Sequence, residues 1–266
     1  MVAGVLDTPD PVLDAPAEAG AAWAAFERLR RGRPRVHVLT SPVAMAISAN
    51  ALLAAGAVPS MTQDPEAVAD FVAGTGALVV NLGMLDPLRR AAIPPAVAAA
   101  RAHGRPWLLD PVKVDRAGGR HRFAVDLLGQ GPAAVRANRG EAAVLADGGD
   151  PAAYAALAER HGFALAVTGE TDFVTDGARA AVLHNGHPLM DRVTAVGCAA
   201  SALAGAFLAV EEDPFAALRA ALLVYGVAGE IAGGIARGPG GFEGQLLDAL
   251  YGLDETTFKR RARVEA

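Results

Sequence analysis

The run "VTAVGCAASALAGAFLAV", Val193 to Val210, carries no charge between Arg192 and Glu211. It contains the chain's only cysteine, Cys198, directly after Gly197. Three readings compete for it: a membrane span, a buried core helix, and a reactive site at a helix start. Its length only reaches the lower limit for a span, about 18 residues. Thr194, Gly197 and Ser201 interrupt it, and alanine inserts poorly into membranes. No second run of the same kind is evident beside it. The sequence therefore predicts a core helix of small side chains, with no membrane partner.

Such a helix needs a sheet to cover, and the flanking sequence supplies one. Short apolar runs at 35–40, 77–83, 106–112, 133–138 and 164–170 read as strands. Helical periodicity separates them at 43–56, 64–74, 86–104 and around 150–161. Asp64 before Pro65 and Asp86 before Pro87 are good helix starts, since aspartate caps and proline suits the first turn. Strands alternating with helices predict an α/β fold with a mostly parallel central sheet, covered on both faces. After Glu170 the pattern changes. "DFVTDG" and "AAVLHNG" read as an antiparallel hairpin near 172–184. The opening run and 213–237 are expected to form a long apolar helix pair, with a glycine-rich connection over 236–244 and a solvated helix end in "FKRRARVEA". Residues 1–20 read as a flexible leader and 21–266 as one domain.

The composition narrows the function. The chain has 266 residues, 52% of them hydrophobic and 20% charged, enough apolar material for a large core. A net charge of −5 argues against a nucleic-acid partner. One cysteine forms no intrachain disulfide, and no Cys/His cluster has zinc spacing, so a reducing, cytoplasmic setting is expected.

In doubly wound sheets ligands bind beyond the carboxyl ends of the strands. Thr40, Ser41, Asn81, Gly83, Asp110, Asn138, Thr168, Gly169 and Glu170 all fall there, so a shared pocket is expected. "NRGE", Asn138 to Glu141, has two readings. The amide and carboxylate suit magnesium-bound waters near phosphate, and the same spacing makes a capping box, the commoner case. "TAVGC" also has two. Backbone amides at a helix start attract anions and lower a cysteine's pKa, so that Cys198 deprotonates or orients an attacking hydroxyl. A lone buried cysteine is equally often a small hydrophobe. His37, His184 and His187 lack metal-ligand spacing.

Taken in order, "VHVLTSPVAMAISANALLAAGAVPSM", "GALVVNLGML", "LLDPV", "VRANRGEAAVLA", "AVTGETDFVTDG", "LHNGHPLMDRVTAVGC" and "GAFLAVEEDPFAAL" resemble the hydroxyethylthiazole kinases of the ribokinase-like superfamily over nearly the whole chain after about residue 20. The resemblance implies a ribokinase-like fold. It also implies ATP- and Mg2+-dependent phosphorylation of the primary alcohol of 4-methyl-5-(2-hydroxyethyl)thiazole in thiamine salvage, by a homotrimer with sites at subunit interfaces. It implies that Met61, Ser41, Thr194 and Ala195 meet the thiazole substrate and that Arg136 and Thr168 touch ATP. Asp110 and Glu141 would organise magnesium. Cys198 would stand where related kinases carry an aspartate base, with Gly197 in the anion hole.

The chain departs from that pattern around the same site. Ala195 replaces a glycine of the turn before the cysteine, and Ser41 replaces an asparagine. "KVDRAGGR" replaces a small glycine-rich loop after "LLDPV", and the segment between "NRGE" and "VTGE" is shorter. Two alternatives therefore stay open: a kinase of another small alcohol, such as a hydroxymethylpyrimidine, or a ligand-binding homologue that has lost phosphoryl transfer.

Overall fold

A computed structural model describes residues 15–265. The five strands expected from the apolar runs form: β1 (Arg35–Leu39), β3 (Ala77–Asn81), β4 (Trp107–Asp110), β5 (Ala134–Asn138) and β6 (Ala164–Thr168). A short β2 (Val58–Ser60), not expected from the sequence, extends the sheet beyond β1. The hairpin also forms, as β7 (Asp172–Thr175) and β8 (Ala180–Leu183), both antiparallel to their neighbours. The last residues pair as β9 (Val264–Glu265) on β8, where a solvated end was expected. The order is β2-β1-β3-β4-β5-β6-β7-β8-β9, and β2 to β6 run parallel.

Alternation along the strands divides two cores. Val36, Val38, Ala77, Val79 and Ala166 face one side, and Leu39, Leu78, Val80, Leu165 and Val167 the other. The first side is covered by α1 (Ala15–Gly32), α2 (Pro42–Ala55), α8 (Val196–Leu208), α9 (Pro214–Ile235), α10 (Pro239–Gly252) and α11 (Glu255–Arg261). The second is covered by α3 (Val68–Ala73), α4 (Pro87–Ala102), α5 (Gly118–Leu128), α6 (Arg139–Ala146) and α7 (Pro151–His161).

The opening run is α8 and belongs to the core. Its regular part is 13 residues, too short to span a bilayer. Its small residues let it lie directly on the sheet. A Cβ on Gly205 would come within 2.3 Å of Val79 Cγ2, so glycine is what permits the approach. By length and composition the span-like helix is instead α9, and 83% of its most apolar window is buried inside the molecule.

The expected pair of long apolar helices forms as α8 and α9. Glycines of α9 serve packing: a Cβ on Gly226 would meet Asn185 O at 2.6 Å, and one on Gly229 would meet Met190 Sδ at 2.6 Å. Two sequence readings are corrected. The "connection" at 236–244 becomes the first turns of α10, with Pro239 in the opening turn. The leader boundary at residue 20 falls inside α1, which begins at Ala15. Ala19 is buried there, and Glu18 pairs with Arg219 of α9. Residues 1–14 of the expected leader lie outside the described residues.

Candidate active site

The carboxyl ends of β3, β4 and β5 meet the first turn of α8. Asn81 and Asp110 are partners in the β3–β4 register, and Asn81 Nδ2 donates to Asp110 Oδ2 at 2.8 Å. Ser201 Oγ donates to the same oxygen at 2.7 Å. Asp110 is fully buried, and its other oxygen, Oδ1, has no hydrogen-bond partner. Burial pushes its carboxyl up to about 6, against the pull of Arg136 and the Ser201 hydrogen bond.

Arg136 reaches across from β5. Its Nη1 stands 4.0 Å from Asp110 Oδ2, and its buried Nε has no partner. The guanidinium turns its two Nη atoms toward the first turn of α8: a Cβ on Gly197 would be 3.0 Å from Nη1 and 3.1 Å from Nη2. Gly197 thus leaves room for the guanidinium beside the free amides of a helix start. The helix end and the cation act in the same direction, and together they attract an anion.

Cys198 sits in that turn, half-buried. Of the two readings of this cysteine, the lowered pKa does not hold. Burial, with the nearby Asp110 carboxylate, raises the thiol from 9.0 to about 11, and the Asn81 hydrogen bond and Arg136 offset this only in part. The helix end favours a thiolate, but lost hydration and a neighbouring carboxylate outweigh it.

Ala195 caps this helix with φ 65° and ψ 10°, in the left-handed region that disfavours any Cβ. Thr194 before it is exposed. Replacing Ala195 with glycine relieves the strain, although glycine also loses more chain entropy on folding. The expected net gain is about 0.5–1 kcal/mol, read as a rise in thermal midpoint. An unchanged or lower midpoint would show that the turn is unstrained.

Of the two readings of "NRGE", the structure forms the capping box. Asn138 Oδ1 accepts from Glu141 N at 2.9 Å, and Glu141 Oε2 accepts from Asn138 N at 3.0 Å, a complete capping box. Glu141 Oε1 also accepts from Lys113 N at 2.8 Å, which ties the loop after β4 to the start of α6. Glu141 is therefore buried and already bonded to backbone. Among the described residues no three His, Cys, Asp or Glu side chains form a cage for a metal. Magnesium usually keeps several waters and takes one or two carboxylates. The unpartnered Asp110 Oδ1 fits that requirement.

Thr168 is buried at the end of β6, and its hydroxyl donates to Ala137 O at 3.4 Å. Ser41 and Met61 lie apart from this network, at the β1–β2 side. Ser41 is buried at the start of α2, and Met61 packs on the core. His37 anchors the Met61 segment: Nδ1 meets Ser60 Oγ at 2.9 Å and Nε2 meets Thr62 O at 3.0 Å. Burial lowers its pKa to about 4, so it is neutral at physiological pH.

Sequence reasoning missed Ser201, although it lies three residues after Cys198 and so on the same helix face. It also missed Asp172, whose Oδ1 accepts from Gly169 N at 3.0 Å in the turn after Thr168. Burial raises that carboxyl to about 6. Buried Arg89 was missed as well. It binds Asp86 and the carbonyls of Asn81, Gly83 and Met84, and so fixes the loop that carries Asn81.

Known proteins are similar to this chain over most of its length. The family model for the hydroxyethylthiazole kinase family matches residues 26–256. A hydroxyethylthiazole kinase from Granulibacter bethesdensis is 47% identical, over 88% of this chain and 91% of its own length. The solved structure of a hydroxyethylthiazole kinase protein from Pyrococcus horikoshii superposes with a TM-score of 0.89 at 37% identity, over 92% of this chain and 98% of that one. A ribokinase-like superfamily protein from Enterococcus faecalis, at 13% identity and TM-score 0.64 over 85% of this chain and 88% of that one, shares the fold. With an anion-attracting helix start, a buried carboxylate and relatives matched along almost their full length, this chain belongs to the hydroxyethylthiazole kinase family.

Proposed function

We propose that this chain transfers the terminal phosphoryl group of ATP to the primary alcohol of 4-methyl-5-(2-hydroxyethyl)thiazole. The observation that carries this reading is the packing of the Arg136 guanidinium on Gly197, beside Asp110 with its unpartnered oxygen. Phosphoryl transfer asks a protein mainly to position groups and neutralise charge. The α8 amides and Arg136 hold the transferring group. Thr168 and the Gly169 turn, fixed by Asp172, meet the nucleotide. Asp110, with the Glu141 charge near it, would hold Mg2+, which would supply charge neutralisation on the phosphates.

In the transfer the alcohol oxygen forms a bond to phosphorus, the bond from phosphorus to the bridging oxygen breaks, and ADP leaves. Cys198 is a neutral thiol before the reaction, so its role is to orient the hydroxyl; the hydroxyl proton passes to an oxygen of the transferring phosphoryl group as the phosphorus–oxygen bond forms. A carboxylate at that position serves the same end. Cys198→Asp therefore keeps transfer, whereas Cys198→Ala lowers kcat by about 10–100-fold, less than the 10²–10⁴-fold contribution of a full general base. The test is product formation from the thiazole alcohol and magnesium ATP. No product after hours with pure protein sinks the reading.

Ala195 favours a second acceptor reading, since its methyl group narrows the entrance to the turn. The same assay with a hydroxymethylpyrimidine decides between the two. Nucleotide binding without transfer to either alcohol identifies a non-catalytic homologue.

Met61 and Ser41 would complete the acceptor pocket across a subunit boundary in a homotrimer. Val43, Leu53, Phe71, Met84 and Leu88 are exposed apolar residues on α2, α3 and the β3–α4 segment, which supports a covered face there. A light-scattering mass of one chain in solution would exclude the trimer. A cytoplasmic setting suits an enzyme whose single thiol stands free at its site.

A further inference from the structure

Lysine is scarce in this chain: two residues, against 22 arginines. One of them, Lys259, pairs with Glu255 at 2.6 Å. The other, Lys113, stands in the loop between β4 and α5. It is exposed, makes no ion pair among the described residues, and has φ 60°. Its backbone is pinned on both sides. Lys113 N donates to Glu141 Oε1 at 2.8 Å, and the preceding carbonyl, Val112 O, accepts from Arg120 Nη1 at 2.9 Å. A residue with a Cβ stays in the left-handed region only where its surroundings over-determine it.

No carboxylate forms an ion pair with the Lys113 ammonium among the described residues. Glu141, whose oxygens both accept from backbone amides, keeps its charge beside the Lys113 backbone and holds the loop in place. Asp115, two residues on, is taken by Arg116 Nε at 2.8 Å. The loop thus carries a free ammonium three residues from Asp110 and one hydrogen bond from the first turn of α6. Arg136 approaches the same site from β5, and Asp110 offsets part of its charge. An anion held at the α8 turn has one cation beside that helix and a second on the β4–α5 loop.

We propose that Lys113 is a nucleotide-specificity residue: its ammonium contacts the terminal phosphate of a nucleoside triphosphate bound at the Arg136–Gly197 turn. A compact point charge on a flexible stem suits a phosphate that changes position during transfer. The inference rests on the phosphotransfer reading for the identity of the ligand, and binding measurements separate the two.

The experiment is calorimetric titration of the full chain with ATP, ADP and AMP in the presence of magnesium, for wild type, Lys113→Ala, Lys113→Arg and Lys113→Gly. Lys113→Ala is expected to weaken ATP about tenfold, the worth of one charge-assisted hydrogen bond, and to leave AMP within about twofold. Its affinity for ATP should also fall less steeply with added salt, and Lys113→Arg should restore most of the binding. Lys113→Gly removes the charge together with the strain, so it should match Lys113→Ala in ATP affinity while melting higher. Equal ATP affinity in wild type and Lys113→Ala overturns the inference. So does an equal loss for ATP and AMP, which would indicate loop damage. If ATP binding depends on Lys113 but no alcohol is phosphorylated, the inference stands and the kinase reading falls. Transfer that is indifferent to Lys113 has the opposite meaning.

Discussion

Arg136→Met lowers kcat/KM for phosphoryl transfer by about 10²–10³-fold, the range found when one preorganised donor to a developing anion is removed. The size follows from where the guanidinium sits. It is largely buried, packs on the Gly197 backbone, and has an Nε–H with no partner inside the protein. Such a donor lies where hydration is weak, so its attraction to a phosphate is little screened. Methionine keeps much of the volume and removes the charge. Removing it also leaves Asp110 without its nearest cation, so the carboxyl rises further above its present value of about 6. Arg136→Lys recovers only part of the rate, because an ammonium does not reproduce the two-nitrogen edge that the guanidinium presents at Gly197. Steady-state kinetics with varied ATP check this. A value within threefold of wild type for Arg136→Met would remove Arg136 from the site.

The sheet was legible because its strands are short apolar runs bounded by turn residues, and their burial on both faces leaves no competing pattern. Part of the candidate site was legible for the same topological reason: polar residues at the ends of successive parallel strands converge, as Asn81 and Asp110 do. Arg136, inside β5, was named only through the family resemblance. Elements whose signal depends on contacts were not legible. The short β2, Val58–Ser60, is recognised as a strand only by its pairing with β1. The segment after "LLDPV" reads as a loop because glycines open α5, whose buried face of Ala124, Leu127 and Leu128 comes later. The state of Cys198 was also beyond the sequence. A helix start argues for a thiolate, and only the depth of the turn and the nearness of Asp110 reverse the sign.

Asp110→Asn is expected to abolish transfer and to stabilise the free protein at the same time. The carboxylate is fully buried, and burial raises its pKa from 3.8 to about 6. The folded state therefore holds this proton more tightly than the unfolded state between those two values. Stability from this group is complete below pH 3.8, declines as pH rises, and is lost above about 6. At pH 8 the ionised group destabilises the fold by something on the order of 2–3 kcal/mol. Asparagine is nearly isosteric and has no charge to bury. Its carbonyl accepts from Asn81 and Ser201, which places its amide where Oδ1 now stands without a partner. The thermal midpoint should therefore rise at pH 8 and change little at pH 4. Transfer should fall by about 10²–10³-fold, because the position that suits Mg2+ then presents a donor instead of an anion, and metal neutralisation is worth several kcal/mol. The stabilisation and the loss share one cause: the site keeps an ionised carboxylate where folding alone favours a neutral group. Thermal melts at the two pH values, with and without Mg2+, separate this from simple damage. Added Mg2+ should raise the wild-type midpoint and leave that of Asp110→Asn unmoved. A variant that melts lower than wild type at pH 8, or that still transfers phosphate at the wild-type rate, would show that Asp110 is a structural residue and not the anion on which the site is built.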